Sequence, residues 1–304
     1  MAAPLAVDSS GDLLVANALV GFSAPTKILG GTSVAPTWVS KINASGVPLF
    51  GVQIGGTLGV KLIGADNAGD VLIAGISPTA GGLPVTPNAY SSSPSSGNNP
   101  AYACKLSSVD GTPIFCTYLN VSQVNLAGIG ADAQGDVYIL AGAATKSIVT
   151  TPGALNLGSQ NVVLLKVDPT GQKLLYSAAF GGNGIDTPLA LSVDAQGDVY
   201  VMGDTTSTNF PGAATGAIPT PSGSFVAKVN PAGSQILYAS YGRAQETPEA
   251  LDVDPAGAAY VSGTVGAGPI YARKYSADGT AVAYETVLPG SEPSYVCQGT
   301  PAPT

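Results

Sequence analysis

The chain has 304 residues, of which 45% are hydrophobic and only 10% are charged, and its formal net charge is −8. This apolar content is enough for a core, whereas a net negative charge without a basic cluster argues against a nucleic acid partner, since phosphate binding needs grouped Lys and Arg side chains. No apolar run approaches the roughly 18 residues of a membrane span, so none is predicted.

An Asp-x-x-Gly turn between two short apolar segments recurs five times along the chain. The first Asp of each copy stands at 8, 66, 132, 194 and 254, giving steps of 58, 66, 62 and 60 residues. The Asp side chain caps such a turn, and Gly takes the positive φ that other residues resist. We therefore assign a structural turn role to ten residues: Asp8, Gly11, Asp66, Gly69, Asp132, Gly135, Asp194, Gly197, Asp254 and Gly257.

A second hairpin follows each first turn, and each copy carries a Lys at the same place: Lys41, Lys105, Lys166, Lys228 and Lys274. Each unit thus supplies four strands, A to D, joined as a meander. Four short antiparallel strands repeated radially are typical of a β-propeller blade. The sequence therefore predicts an all-β propeller with five four-stranded blades and a period of about 60 residues. Strand A should lie nearest the axis, and strands C and D should form a wider, more solvated outer edge.

The units are assigned to residues 3–56, 57–120, 121–182, 183–242 and 243–290, followed by a C-terminal tail at 291–304. Long irregular segments join strand B to strand C in the first four units. Two interpretations of ring closure stay open. Residues 294–297 add an edge strand, or the five units are part of a larger ring.

Residues 190–211 and 224–242 resemble the bacterial SBBP β-propeller repeat family, whose units are similar to NHL-type propeller repeats. Segments 83–90 and 150–155 resemble the family's Phe-Pro-Thr-Thr-Pro-Gly-Ala pattern. The resemblance covers about residues 5–290 and is weakest in the first and fifth units. It implies exported bacterial proteins, often large and multidomain, with no catalytic set common to the repeats.

The state of the three cysteines is relevant to whether the protein lies in an oxidising compartment. Cys104 and Cys116 flank the turn at 107–111, so their strands bring them close together. They form either a disulfide, in an oxidising compartment, or two half-buried thiols. Cys297 is free or pairs with another chain.

The acidic residues are predicted to be structural, because most of the fifteen Asp lie in or beside repeated turns. Only Asp186, Asp204 and Asp252 lie outside them, whereas a glycosidase needs two converging carboxylates. The chain contains no His, the commonest general base and transition-metal ligand. We therefore predict no catalytic residue, no cofactor and no metal site.

Two surfaces are candidates for ligand binding. The five repeated Lys residues could form a ring for an anionic ligand, or each could pair with a neighbouring turn Asp and cover apolar surface with its stem, which we favour. The loop rim is the better candidate, with Tyr90 and Phe210 as its aromatic contacts.

The sequence thus favours a non-catalytic, extracellular or cell-surface binding, adhesion or assembly module. Its expected partner is a protein or a glycan, and self-association is a further expectation. Two alternatives stay open, a carbohydrate-active enzyme on the propeller scaffold and a self-assembling structural subunit of a surface or filament polymer.

Overall fold

The computed structural model describes residues 4–17, 26–29, 37–55, 59–77, 82–94, 99–143, 148–159, 161–266 and 268–288. In this part of the chain the backbone forms five sheets that follow one another in sequence. Each sheet contains a four-stranded antiparallel meander, which we number as blades 1 to 5. The predicted all-β propeller with five four-stranded blades is confirmed.

The first three blades contain the first thirteen strands of the chain. Blade 1 contains β1 (Leu5–Val7), β2 (Leu13–Ala16), β3 (Thr26–Leu29), β4 (Thr37–Ile42) and β5 (Pro48–Ile54). Blade 2 contains β6 (Gly59–Ala65), β7 (Val71–Ile76), β8 (Pro100–Leu106) and β9 (Pro113–Ser122). Blade 3 contains β10 (Val124–Ala131), β11 (Val137–Ala143), β12 (Val162–Val167) and β13 (Leu174–Phe180).

The last two blades repeat the same order. Blade 4 contains β14 (Asp186–Val193), β15 (Val199–Thr205), a 3₁₀ turn (Ala213–Thr215), β16 (Ser224–Val229) and β17 (Ile236–Tyr241). Blade 5 contains β18 (Glu246–Val253), β19 (Ala259–Val265), β20 (Ile270–Tyr275) and β21 (Val282–Leu288). The first strands of consecutive blades contact one another, β1 with β6, β6 with β10, β10 with β14 and β14 with β18. These strands are therefore the innermost, as the small apolar residues of strand A predict.

The first turn of each blade forms for a local reason. In blade 4 the backbone N–H groups of Gln196 and Asp198 donate to Asp194 Oδ1 at 3.0 and 2.9 Å. Gly197 has a φ of 82°, which a side chain would strain, and its N–H donates to the Asp194 carbonyl at 2.9 Å. The other four copies repeat both features, so the Asp and Gly residues of this turn are turn formers.

The apolar core is divided between the blades. Four clusters of buried side chains each join two consecutive blades. In the cluster between blades 3 and 4, Leu140 and Leu164 of one blade pack with Val201 and Phe225 of the next. Because burial of apolar surface is the main favourable term in folding, the contacts between blades carry much of the stability.

The connections between strands B and C are more ordered than the sequence indicates. In blade 1, β3 pairs in parallel with the outermost strand, β5. In blade 3 the Ala179 N–H donates to the Leu155 carbonyl at 2.8 Å, and in blade 4 the Tyr241 N–H donates to the Ile218 carbonyl at 3.0 Å. These segments occupy backbone groups at the edge of the outermost strand, which favours solubility. In blade 5 only residues 266–269 separate β19 from β20.

Candidate functional site

The five repeated Lys residues lie inside the blades and do not form a solvated ring. Each ammonium pairs with the first turn Asp of its own blade, at distances of 2.8, 2.5, 3.0, 3.2 and 2.9 Å in blades 1 to 5. The side chains of the first four Lys residues are 4, 8, 10 and 11% exposed. In blades 1 to 4 strand C is thus less solvated at this position than predicted, because the next blade covers it. The local pairing with a turn Asp is the arrangement that the structure shows.

In two of the pairs the pairing shifts the pKa of one partner in the direction that favours its charged form. Burial disfavours the charge of Lys228, but hydrogen bonds to Asp198 and Asp194 outweigh it and raise the pKa of its ammonium. Burial likewise opposes the charge of Asp8, yet the hydrogen bond from Lys41 and backbone N–H donors lower the pKa of that carboxyl. Groups held charged in this way exchange no proton near neutral pH, so they are poor general acids and bases.

Cys104 and Cys116 face each other across the hairpin of β8 and β9 and are joined as a disulfide. Both residues are fully buried. Cys297 lies outside the described residues, as do residues 294–297 proposed as an edge strand.

We expect thiol alkylation of the unfolded, unreduced chain to modify no more than one of the three cysteines, and to modify all three after reduction. Reduction opens a short loop closed by residues 12 apart, so it should cost about 2–3 kcal/mol of unfolding free energy. Mass spectrometry of the alkylated chain and urea unfolding with and without reductant measure the two effects. Three alkylated cysteines before reduction would show that the disulfide is absent.

The two aromatic residues predicted for the rim have different surroundings. Phe210 is 2% exposed and packs on Phe180 and Phe225, with ring centroids 6.3 and 4.3 Å away. Phe210 is therefore a core residue and not a ligand contact, because its loop folds back over blade 4. Tyr90 is partly exposed, and its backbone N–H donates to the Gly171 carbonyl at 2.7 Å, which joins its loop to blade 3.

The three carboxylates outside the turns do not converge. Asp186 begins β14, is 2% exposed and accepts hydrogen bonds from Thr205 Oγ1, Ser207 Oγ and the Gly182 N–H. Asp204 lies one pair along the β14–β15 ladder from Asp186, and burial raises the pKa of its carboxyl. Asp252 is exposed on β18 and accepts from the Val253 N–H. Each has a different neighbourhood, so none forms a carboxylate pair with another.

An open cavity of about 520 Å³ lies where the rim loops of blades 3 and 4 meet. We call it the rim pocket, and its lining includes Leu157, Ser159, Gly182, Asn183, Asn209 and Pro211. The first two come from the long loop of blade 3, the next two from the connection to blade 4, and the last two from the long loop of blade 4. The lining presents neutral amide, hydroxyl and backbone groups between two apolar side chains.

The rim pocket is held in shape by hydrogen bonds between its loops. The Asn183 N–H donates to Asn209 Oδ1 at 2.8 Å, and the Thr208 N–H donates to Asn183 Oδ1 at 2.9 Å. Beneath them Asp186 Oδ2 accepts from the Gly182 N–H at 2.7 Å and from Ser159 Oγ at 3.2 Å. A Cβ on Gly182 would lie 2.4 Å from Ser207 Cβ, so only glycine fits there. The buried carboxylate thus fixes the floor of the pocket.

The equivalent place in blade 5 holds a charged cluster. Glu246 begins β18 as Asp186 begins β14, and it accepts from both terminal nitrogens of Arg273, which is 1% exposed. Arg273 Nε donates to Glu285 at 2.8 Å. Burial disfavours the guanidinium charge, but these hydrogen bonds outweigh it and raise the pKa of Arg273. The start of the first strand is therefore stabilised differently in the two blades. In blade 4 a carboxylate accepts from neutral donors, and in blade 5 a carboxylate pairs with a guanidinium.

No group of three or more His, Cys, Asp or Glu side chains in the described ranges is arranged to hold a metal ion. In that same part of the chain, no helix is long and apolar enough to cross a membrane.

Comparisons with known proteins agree with the fold. Residues 175–211 match the SBBP family, a β-propeller repeat. None of the curated proteins compared with the chain matches it. A protein of unknown function from Bacteroides caccae is similar in structure, with 12% identity, a TM-score of 0.50, and coverage of 95% of this chain and 86% of its own. The WD40 domain of Toxoplasma gondii coronin has 9% identity and a TM-score of 0.52 over 95% of this chain and 59% of its own. The predicted propeller repeat is thus confirmed.

Proposed function

We propose that this β-propeller repeat protein is a non-catalytic binding module that works outside the cytoplasm and takes a neutral glycan in its rim pocket. The observation that carries the proposal is a preformed cavity of about 520 Å³ lined by amide, hydroxyl and backbone groups. Ligand sites are commonly concave, largely preformed and furnished with a few placed polar groups.

The chemistry of the lining supports a ligand rich in hydroxyl groups. Asn side chains both donate and accept, Ser hydroxyls do the same, and neither carries a charge. Asn183 and Asn209 are exposed and line the cavity. Leu157 and Pro211 add apolar surface suited to the carbon faces of a sugar ring.

The role of Asp186 supports binding without catalysis. Its carboxylate is 2% exposed and is held by donors from three segments of the rim. A catalytic acid or base must reach the proton that it transfers, at about 2.6–3.2 Å. A carboxylate that is enclosed and occupied in this way acts on the shape of the pocket.

The disulfide between Cys104 and Cys116 supports the proposed compartment. Structural disulfides persist in oxidising environments and are rare in the cytosol. A hairpin bridge of this kind is compatible with an exported protein.

The test is a glycan array followed by calorimetry with the best binder. The Asn209→Ala variant should weaken binding roughly 5-fold to 10-fold, since one neutral hydrogen bond contributes about 1 kcal/mol. Asn67→Ala changes an exposed Asn in the first turn of blade 2 and should leave the affinity unchanged. Thermal unfolding of both variants distinguishes a lost contact from a misfolded rim.

Two results would contradict the proposal. Binding that is equally affected by Asn209→Ala and Asn67→Ala would place the ligand elsewhere. Release of shorter sugars from the bound glycan, abolished by Asp186→Asn, would show that the protein is an enzyme.

A further inference from the structure

A second cavity lies beside the rim pocket, on the side of the innermost strands. Its volume is about 250 Å³, and we call it the inner pocket. Its lining includes Asn125 of β10 and Asn161 just before β12, both in blade 3. Ile185, Thr187 and Pro188 line it from the start of blade 4. Because β10 and β14 are the innermost strands of these blades, the inner pocket lies closer to the centre than the rim pocket, whose lining comes largely from the long loops.

The two pockets are neighbours along one stretch of chain. The connection from blade 3 to blade 4 lines the rim pocket with residues 181–183 and the inner pocket with residues 185–188. Asn183 and Ile185 are two residues apart, so their Cα atoms are separated by at most about 7 Å. Ile185 is 67% exposed and adds apolar surface at this boundary. A ligand in one pocket is therefore within reach of the other.

The buried carboxylate of Asp186 takes part in both pockets. Asp186 lines the inner pocket, and its Oδ2 accepts from the Gly182 N–H and from Ser159 Oγ, which belong to the lining of the rim pocket. The described linings of the two pockets include no Lys or Arg. A carboxylate without a neighbouring cation repels an anion, so both pockets favour neutral ligands.

The inner pocket has free polar groups of its own. The side chains of Asn125 and Thr187 are exposed, and no described residue forms a hydrogen bond with either of them. The amide of Asn161 is by contrast occupied. Its Nδ2 donates to the Ala143 carbonyl at 3.0 Å, and its Oδ1 accepts from the Asp186 N–H at 3.3 Å. Asn125 and Thr187 are therefore the polar side chains that a ligand can contact here.

Gly142 keeps the inner pocket open. A Cβ added to it would lie 3.2 Å from Pro188 Cδ and 3.9 Å from the Asn125 carbonyl oxygen. Counted from the first turn Asp, the equivalent residues of blades 2 and 4 are Ile76 and Asp204, whose side chains would narrow such a space. The cavity between blades 3 and 4 thus depends on a residue at which the units differ.

We propose that the rim pocket and the inner pocket form one continuous site for a linear, neutral oligosaccharide, a trisaccharide or longer. The inference rests on the proposed function and names its ligand more closely. The oligosaccharide lies across the rim, from the long loops toward the innermost strands. Its hydroxyl groups contact Asn209 in the rim pocket and Asn125 in the inner pocket, and a sugar ring between them packs on Ile185.

Isothermal titration calorimetry of the full chain tests the proposal. The probes are linear oligomers of glucose, xylose, mannose and galactose, from the monosaccharide to the pentasaccharide, with galacturonic acid oligomers as the anionic counterpart of galactose. The affinity for the neutral sugar that binds best should rise with each added unit until both pockets are filled and then stay constant. The anionic oligomers should bind more weakly than the matching galactose oligomers, because Asp186 repels them.

Two variants assign the contacts to the two pockets. Asn125→Ala should weaken binding of the pentasaccharide roughly 5-fold, the effect of one neutral hydrogen bond, and leave binding of the disaccharide in the larger rim pocket unchanged. Asn209→Ala should weaken binding of both oligomers. Thermal unfolding establishes that each variant folds like the parent.

The outcomes separate this inference from the proposed function. Equal affinities for the disaccharide and the pentasaccharide would overturn the continuous site and leave the rim pocket as the whole binding site. An equal effect of Asn125→Ala on both oligomers would do the same. Tighter binding of galacturonic acid oligomers than of galactose oligomers would overturn the neutral ligand class. Absence of binding by every probe would overturn both the inference and the proposed function.

Discussion

Replacing Lys166 by methionine is expected to lower the unfolding free energy by about 3–5 kcal/mol, because removal of one partner of a buried ion pair leaves an uncompensated charge. Lys166 Nζ lies 3.0 Å from Asp132 Oδ2 and 2.9 Å from Asp136 Oδ2, and its side chain is 10% exposed. Methionine keeps most of the stem that packs beside Tyr138, so the loss reflects the charge. The two carboxylates remain with no cation between them.

Lys274→Met is the matched control. Lys274 occupies the same place in blade 5, pairs with Asp254 at 2.9 Å, and is 25% exposed. Water can replace the lost ammonium there, so the loss of stability should be much smaller. Urea unfolding of the parent and both variants measures the difference. Equal losses would show that burial by the next blade has no part in the effect.

Replacing Gly171 by alanine is expected to lower the unfolding free energy by about 3 kcal/mol, combining roughly 1 kcal/mol for a side chain at positive φ with about 2 kcal/mol for overpacking. Gly171 has a φ of 70°, and its new Cβ would lie 2.3 Å from the ring of Phe115. The ring is fully buried and has little room to move. Blades 2 and 3 would have to separate where this turn packs on the ring.

Gly46→Ala separates the cost of a side chain at positive φ from the cost of overpacking. Gly46 has a φ of 81° at the equivalent turn of blade 1, with no described atom within 4 Å of the added Cβ. Only the backbone cost applies, so the loss should be about 1 kcal/mol. The measurement is urea unfolding in dilute solution. A loss for Gly46→Ala as large as that for Gly171→Ala would show that backbone strain alone explains both.

The blade architecture could be predicted because its signal is local and repeated. An Asp that caps its own turn and a Gly at positive φ are fixed within five residues of sequence, as the hydrogen bonds to Asp194 show. Five copies at a steady spacing then indicate a radial repeat. The pairing of each Lys with its turn Asp could be predicted from the same repeat, because the Lys and the Asp recur at fixed places in every unit.

The structure of the rim loops could not be predicted, because it depends on contacts between residues that are far apart in the sequence. Phe210 has the sequence neighbourhood of a loop, yet its ring stacks on Phe225 because the loop returns across blade 4. The rim pocket depends on Asn183 and Asn209, which are brought together from separate connections. No repeated spacing marks them, since these loops are where the units differ. β3 was missed for a similar reason, because its partner is a strand of the same blade on the far side of a long connection.

The contacts between consecutive blades lie between these two cases. Each half is visible in the sequence, as a repeated aromatic on strand D and a repeated glycine in the second turn. Their meeting is not visible, because it joins residues of consecutive blades, about 60 positions apart.

The central claim is that consecutive blades repeat one contact, in which the second turn of a blade packs on an aromatic ring of the preceding blade. The most direct measurement is urea unfolding, in dilute solution, of the five alanine variants of Gly46, Gly111, Gly171, Gly233 and Gly279. All five positions have positive φ, but a Cβ meets aromatic carbon closer than 3 Å at the last four only. The account predicts a large loss of stability for those four and a small one for Gly46→Ala. Five losses of the same size would contradict it.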